Sequence, residues 1–422
     1  MTELPARSYA VTDKGWWQGG GILPRVLADL LCAEARRLRP GGTPPSPDTW
    51  TPGARLDGAE RGFDSLELLE VAAAFSELLH LHESGLEDYL LARRTFGEWR
   101  AVAAQALQRF SATLTFRTAG STGAPKPFLH PLAALEREAE ALAMLLPGGG
   151  ARVLVAAPSH HIYGFLFTAL LPKRLGNVPV LDVRGHSPGA LPSLARTGDL
   201  VVGHPAFWAA VVRAAPSGWP PEVTGITSTA PCPVETAAAL ATAGLSRVLQ
   251  IHGSSETAGL GWRDDPHGPY ALLPHWRLDA EGRLLQAPLP GRTASAALEA
   301  PDKLEWLDPR RYLVGGRLDG AVQVGGVNVS PVQVGAALQE HSGVAAASVR
   351  LMRSSEGLRL KAFIVPRDVG ADAAALRSEL DAFAAMRLSN PERPRAYTFG
   401  PALPVDPIGK ATDWPIVHEA SP

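Results

Sequence analysis

Cysteine is nearly absent: the 422 residues hold only Cys32 and Cys232, far apart and without a metal-type spacing. No disulfide framework is expected, and both read as ordinary thiols of a reducing compartment. An excess of either charge is missing too. Lys and Arg number 40 against 42 Asp and Glu, a formal net charge of −2, so there is no global basic field and no nucleic-acid partner is expected. No apolar run approaches the roughly 18 residues of a membrane span. Residues 1–20 mix charges, tryptophans and glycines without the apolar stretch of a secretory signal, so none is expected. A cytoplasmic protein follows. The chain also lacks a Walker A loop: its Gly-rich candidate ends in Lys126, but Pro125 and Pro127 flank that lysine where glycine and a hydroxyl residue are required.

That candidate is still the stretch around which the chain is organised. Phe116-Arg117-Thr118-Ala119-Gly120-Ser121-Thr122-Gly123-Ala124-Pro125-Lys126 follows a short β-type segment at 113–116. Glycines open turn conformations closed to other residues, so successive N–H groups can converge on one concavity, a nest for phosphate oxygens. Ser121 and Thr122 add hydroxyl donors and Lys126 a point charge. From residue 111 the chain alternates strands at 152–157, 178–183 and 247–251 with helices at 132–146, 165–175 and 234–243. This pattern predicts parallel strands covered by helices, with ligands at their carboxyl ends. The loop at Thr118 and the segment at His252 both follow strands.

Downstream come His252-Gly253-Ser254-Ser255-Glu256-Thr257, then Gly316-Arg317-Leu318-Asp319 with Gly325-Gly326-Val327-Asn328-Val329-Ser330-Pro331 after it, and finally Pro407-Ile408-Gly409-Lys410. In this order, and together with the first loop, they resemble the adenylate-forming superfamily of acyl-CoA synthetases, luciferases and peptide-synthetase adenylation domains. The resemblance covers roughly the last three quarters of the chain. It implies ATP and Mg²⁺, with Thr118, Gly120, Ser121, Thr122, Gly123 and Lys126 around the phosphates and Glu256 as the magnesium-associated carboxylate. His252 replaces a tyrosine that commonly stacks on adenine, with Gly253 and Ser254 beside it. Ser228-Thr229-Ala230-Pro231 is similar to the family's Gly-Gly-Ala-Pro segment along the adenine. Pro158-Ser159-His160-His161-Ile162-Tyr163-Gly164 matches its His-x-x-Gly segment, where His161 would orient the acyl carboxylate or gate the thiol tunnel.

The family binds ribose through an aspartate and an arginine fifteen residues later. The usual Thr-Gly-Asp is missing, but Asp302 and Arg317 have that separation (317 − 302 = 15), with Asp308 the alternative. Asp319 is the implied hinge. Lys410 is the implied catalytic lysine, bridging the substrate carboxylate and the α-phosphate. Ile408, Gln323 and Gln333 replace the family's usual serine, lysine and glutamate, departures that bear on thioester formation more than on adenylation.

The first hundred residues read as helical. Residues 23–38 carry apolar side chains at helical spacing, and 40–53 form a Pro/Gly/Thr-rich loop. Gly62-Phe63-Asp64-Ser65-Leu66 opens an amphipathic helix to about Leu79, with Asp64 or Ser65 at the cap and Glu67 and Glu70 near its positive end. Capping alone accounts for these residues. The segment also resembles an acyl carrier protein, with Ser65 where 4′-phosphopantetheine is attached, and 85–88 and 95–99 are similar to the carrier's third and fourth helices. Arg61 stands where that fold commonly has leucine.

The expected fold is therefore α/β. A helical carrier-like region at 1–108 precedes an adenylate-forming enzyme with a trimmed core at 109–317 and a small mobile α+β domain at 318–422. The expected reaction activates an aryl or acyl carboxylic acid as acyl-AMP and passes it to a phosphopantetheine thiol. An acyl carrier protein is the favoured acceptor, either the chain's own Ser65 or a separate one, and coenzyme A the alternative. The compact format resembles the aryl and acyl ligases of bacterial aryl-polyene and polyketide clusters. A weakly active scaffold that docks carrier proteins is the reading from another class.

Overall fold

A computed structural model of the chain describes residues 15–19, 21–39, 42–43, 45–58, 62–117, 126–146, 151–214, 218–289, 297–353, 356–368, 370, 372–404 and 412–416. They fall into two compact units, one of residues 1–34, 45–116 and 127–315, the other of 35–44, 117–126 and 316–422.

Helix α1 (Ile22–Leu38) begins in the first unit, which continues with α2 (Ser65–Leu79), α3 (Asp88–Ala92) and α4 (Phe96–Arg109). Capping boxes start two of them. Asp64 Oδ1 accepts from the Leu66 and Glu67 N–H groups while Glu67 Oε2 accepts from the Asp64 N–H; Thr95 and Glu98 repeat the arrangement on α4. Each such cap contributes about 1 kcal/mol. Ser65 is thus an exposed first-turn residue behind its cap. Phe75 and Trp99 meet edge to face at 5.1 Å, and the buried Trp99 donates its indole N–H to Leu90 O, which holds α2, α3 and α4 together.

Strands β1 (Thr113–Arg117) and β2 (Pro127–Pro131) pair with each other, and α5 (Leu132–Met144) follows. Next come β3 (Val153–Val155), β4 (Val180–Asp182), β5 (Leu200–Gly203), β6 (Thr224–Thr227), β7 (Arg247–Ser254), β8 (Ala258–Arg263) and β9 (Tyr270–Leu272). A small sheet is made of β10 (Trp276–Leu278), β11 (Leu284–Gln286) and β12 (Ala297–Leu298), and β13 (Asp302–Asp308) and β14 (Arg311–Arg317) close the series. The main sheet has the order β13-β14-β9-β8-β7-β6-β5-β3-β4. β4, β3, β5, β6 and β7 run parallel, and β3 and β5 are buried along their whole length, as strands covered on both faces must be.

Parallel pairing stops at β7, where the periodicity predicts no change. Only Ser255, Glu256 and Thr257 separate β7 from β8, too few residues for a crossover, so β8 returns antiparallel and β9 and β14 follow in kind. The helix expected from 165 starts at Ile162 and widens into a π-helical turn at Leu166–Leu170. β5 and β6 were not legible in sequence, being four-residue runs, one of them with a glycine at its centre.

In the second unit a hairpin, β15 (Val322–Val324) and β16 (Val327–Val329), turns through Gly325 and Gly326. Both have positive φ, 61° and 84°, which only glycine adopts cheaply in a two-residue hairpin loop. β17 (Val344–Leu351) pairs antiparallel with β18 (Leu360–Pro366), and β19 (Ala396–Phe399) parallel with β18. Helices Pro331–Gln339 and Ala373–Arg387 bury Leu338, Leu376 and Leu380 with Val344, Leu360 and Ile364 of this sheet. The α+β reading of this region holds, with strands and long helix close to the expected places.

Candidate active site

Four neighbouring parallel strands, β3, β5, β6 and β7, end on one side of the sheet, and the candidate residues follow their carboxyl ends. After β3 the chain turns tightly through Pro158 to Gly164. A Cβ on Gly164 would lie 1.9 Å from Pro158 O, so only glycine fits. Ser159 N–H donates to Asp29 Oδ2 at 2.6 Å, and Asp29 is paired with Arg184 at 2.7 Å. Tyr163 donates its hydroxyl to Gly203 O at the end of β5, 2.9 Å away, and burial keeps that phenol protonated. His161 is exposed to solvent, and desolvation by the surrounding protein pushes its imidazole down to about 4. It is neutral at physiological pH.

Beyond β6, Thr229 has left-handed backbone with φ of 75°, and its Oγ1 is buried without a hydrogen-bond partner, as is that of Thr227. Ala230 is half-buried and Pro231 exposed. Burial pushes the Cys232 thiol up to about 11, which removes it as a nucleophile. β6 and β7 pair in register from Thr224 with Arg247 to Thr227 with Gln250, so Thr229, just past β6, and His252, within β7, each lie two residues beyond the last paired position.

His252 joins two strands distant in sequence. Its Nδ1 is hydrogen-bonded to the Tyr312 hydroxyl on β14 at 2.9 Å, and its Nε2 to Asp302 Oδ2 at the start of β13 at 3.2 Å. Tyr270 and Tyr312 stack on one another with centroids 5.8 Å apart, and the His252 ring lies within 5.5 Å of both. Asp308, the alternative ribose ligand, sits at the opposite end of β13, where it accepts from Arg311 and the Arg310 N–H in the hairpin turn. Arg317 ends β14 and forms a two-point pair with Asp319, Nε to Oδ1 at 2.9 Å and Nη2 to Oδ2 at 2.7 Å. The implied ribose arginine and the implied hinge thus engage each other.

The turn that carries Glu256 is closed on itself. Ser254 N–H donates to Thr257 Oγ1 at 3.1 Å and Thr257 N–H to Ser254 Oγ at 3.2 Å, while Ala258 adopts a φ of 56°. A Cβ on Gly253 would fall 2.0 Å from Ala258 O. Two further residues brace this turn, and sequence reading missed both. His130 on β2 is buried and bonds Ser255 O through Nε2 at 2.7 Å. Glu138 on α5 accepts from Gly259 N–H at 2.9 Å, and complete burial pushes its carboxyl up to about 8. Glu138 did leave a signal: it occupies a core position in the helical pattern with Leu135, Ala139 and Leu142, where an acid needs a reason.

Lys126 is exposed and immediately precedes β2 in the chain. Thr118, Gly120, Ser121, Thr122, Gly123 and Lys410 lie outside the described residues. What is described offers an aromatic face, a carboxylate beside it, an unpartnered buried hydroxyl and a second, half-exposed carboxylate on a rigid turn. That donor set suits a nucleotide and its metal: stacking for a base, an acceptor for vicinal hydroxyls, and an oxygen ligand for Mg²⁺.

No family model matches the chain. Among curated proteins it is similar to the 4-coumarate–CoA ligase of Rhodobacter capsulatus, 39% identical over 402 residues that cover 93% of this chain and all of that relative. The 4-coumarate–CoA ligase of Halorhodospira halophila is 39% identical over 391 residues, 92% of this chain and 97% of the relative. Among solved structures, the amide bond synthetase McbA of Marinactinospora thermotolerans shares the fold at a TM-score of 0.59 and 18% identity, with 92% of each chain covered. The o-succinylbenzoate CoA synthetase of Bacillus subtilis does so at 0.54 and 17%, over 77% of this chain and 73% of that one. The chain therefore belongs with the bacterial 4-coumarate–CoA ligases among the adenylate-forming acyl and aryl-CoA synthetases, and it is an AMP-forming acid–thiol ligase.

Proposed function

We propose that this ligase joins an aryl-substituted propenoic acid of the 4-coumarate type to the thiol of coenzyme A by way of an acyl-adenylate. One observation carries the reading: the match to ligases named for that acid and that thiol runs over almost the whole of both chains. A carboxylate oxygen attacks the α-phosphorus of ATP, the bond to the β-phosphate bridge breaks, and pyrophosphate leaves. The thiol sulfur then attacks the acyl carbonyl, its proton is lost, and AMP departs with the electron pair of the mixed-anhydride bond.

On this reading Asp302 accepts from the ribose hydroxyls, and His252, backed by Tyr270 and Tyr312, presents the stacking face for adenine. Thr229 gives its unpartnered hydroxyl to the base or ribose. Glu256 would hold Mg²⁺, which supplies neutralisation of phosphate charge. Thr118, Gly120, Ser121, Thr122, Gly123 and Lys126 surround the phosphates. His161, neutral at working pH, orients the acyl carboxylate, and Lys410 stabilises the charge that builds as the α-phosphate is attacked. Asp319 is the proposed hinge.

Coenzyme A is the better acceptor for two reasons. The relatives' match covers most of residues 1–108, so this helical region is shared with whole CoA ligases. The Asp64-Ser65 pair, moreover, is accounted for by its capping box. The full chain, incubated with ATP, Mg²⁺, coenzyme A and a panel of aryl, propenoic and fatty acids, would be followed by pyrophosphate release and by thioester mass. Thioester with 4-coumarate-type acids, unchanged in Ser65→Ala and lost from the first half-reaction by roughly 100-fold or more in Lys410→Ala, is expected. An acylated pantetheine adduct that disappears in Ser65→Ala would move the acceptor to the chain itself. No pyrophosphate with any acid would leave the docking-scaffold reading.

A further inference from the structure

Away from the candidate active site, the turn that ends α2 brings two imidazoles and a carboxylate together. His80, His82 and Glu83 each present one ligand atom within 4.8 Å of the others. We propose that these three side chains form a divalent transition-metal site whose occupant is Zn²⁺, a site that the ligase reaction does not require. Two nitrogens and one oxygen are a donor set suited to Zn²⁺ and unsuited to Mg²⁺ or Ca²⁺, and three protein ligands leave the fourth tetrahedral position to water.

The geometry is preorganised at one ligand and adaptable at the others. His80 is buried; its Nε2 is hydrogen-bonded to Thr115 Oγ1 on β1 at 2.9 Å, and its ring centroid lies 6.2 Å from that of Phe110 and 5.3 Å from that of His82. A partner on a histidine ring fixes its orientation, as it does in many metal sites. The turn beneath is held from several sides: Glu83 N–H donates to His80 O, Ser84 Oγ to Leu81 O, and Arg109 to Ser84 O. His82 and Glu83 are exposed, with His82 Nε2 3.7 Å from Glu83 Oε1. Bond lengths near ~2.1 Å ask these ligand atoms to close by about an ångström, which exposed side chains do by small torsional changes.

Charge and backbone agree. Glu77 and Glu83 both present negative charge to His80, which favours a cation there. His80 itself has a φ of 53°, uncommon for a residue other than glycine, and a metal that cross-links the turn would stabilise that conformation. The bound ion would cross-link the turn that ends α2, whose His80 is already hydrogen-bonded to Thr115 on β1.

The test uses the full-length protein stripped of metal, with Zn²⁺ titrated in competition with a chromophoric chelator and Co²⁺ as a spectroscopic probe. His82→Ala and Glu83→Gln alter exposed side chains, and far-UV circular dichroism checks that both fold. One equivalent of Zn²⁺, visible Co²⁺ bands of low coordination number, binding weakened roughly tenfold or more in each variant, and a Zn²⁺-dependent rise in melting temperature seen only in the wild type are expected. No stoichiometric uptake, or uptake that either variant retains at wild-type strength, overturns the proposal and leaves His80 a helix-end residue beside an exposed ion pair.

Discussion

His252 Nε2 and Asp302 Oδ2 are hydrogen-bonded at 3.2 Å, although they lie 50 residues apart on β7 and β13. The side chain expected against adenine and the carboxylate expected on ribose therefore orient each other. Tyr312 occupies the second ring nitrogen, so the imidazole cannot rotate without breaking two bonds. A carboxylate held in this way meets a ligand already aimed, which lowers the entropic cost of binding.

Asp302→Asn should raise the KM for ATP by roughly 10- to 100-fold, the range expected when a charged acceptor of hydrogen bonds is lost. His252→Ala should raise it less. The double variant should fall short of the product of the two, because each single change already frees the other partner. Pyrophosphate-release kinetics on the three variants measure this, and strict additivity would show that the pair does not act as a unit.

Gly253→Ala should leave the first unit folded and lower pyrophosphate release by about 100-fold. The new methyl would stand 2.0 Å from Ala258 O, so the turn must open and carry Glu256 with it. Displacements of about an ångström at a positioned group cost rates of this order. Circular dichroism beside steady-state kinetics separates a shifted turn from an unfolded protein.

Glu138 should make stability fall with rising pH. Its carboxyl ionises near 8 in the folded protein and at its ordinary value of 4.5 when unfolded, so between those values the folded state holds the extra proton. The stabilisation is complete below about pH 4.5 and declines by roughly 1 kcal/mol per pH unit until about pH 8. Glu138→Gln keeps an acceptor for Gly259 N–H and has no proton to lose. It should therefore gain on the wild type between pH 5 and pH 8 in denaturant titrations, and parallel curves would contradict the assignment.

Lys361 is a fully buried cation among the described residues of the second unit. It donates to Glu356 Oε2 at 2.9 Å and to Trp414 O at 2.6 Å, and pairs with Asp413 at 2.9 Å. Lys361→Met keeps the bulk but takes the ammonium away from Glu356 and Asp413, which keep Arg353 as a partner, and should destabilise this unit by about 3 kcal/mol. A denaturation transition that moves by less than a few tenths of that would mean water replaces the ammonium without loss.

Most of the longer helices were legible because their signals are local, although the helix Pro205–Arg213 was not among those expected. Asp64 and Thr95 with their glutamates three residues on announce α2 and α4, and the apolar spacing of 132–146 announces α5. The strands β3, β4 and β7 show as apolar, β-branched runs, and Gly325-Gly326 marks a hairpin. The antiparallel β8, β9 and β14 were not legible, since pairing direction depends on how many residues are left to make the connection and not on the strand's own composition. The 302-to-317 spacing singled out Asp302, but no pattern in the chain indicates that His252 and Tyr312 would meet it.

The sequence by itself determined the main helices, the strands β3, β4 and β7, the order of the motifs and the family, because caps, periodicity and glycine positions act over a few residues. Only the tertiary structure decided that Tyr312 and Asp302 flank His252, that His130 and Glu138 brace the Glu256 turn, and that His80 reaches Thr115. Those contacts join residues 35 to 125 positions apart, and they exist only once sheet register and helix packing have set which side chains face one another.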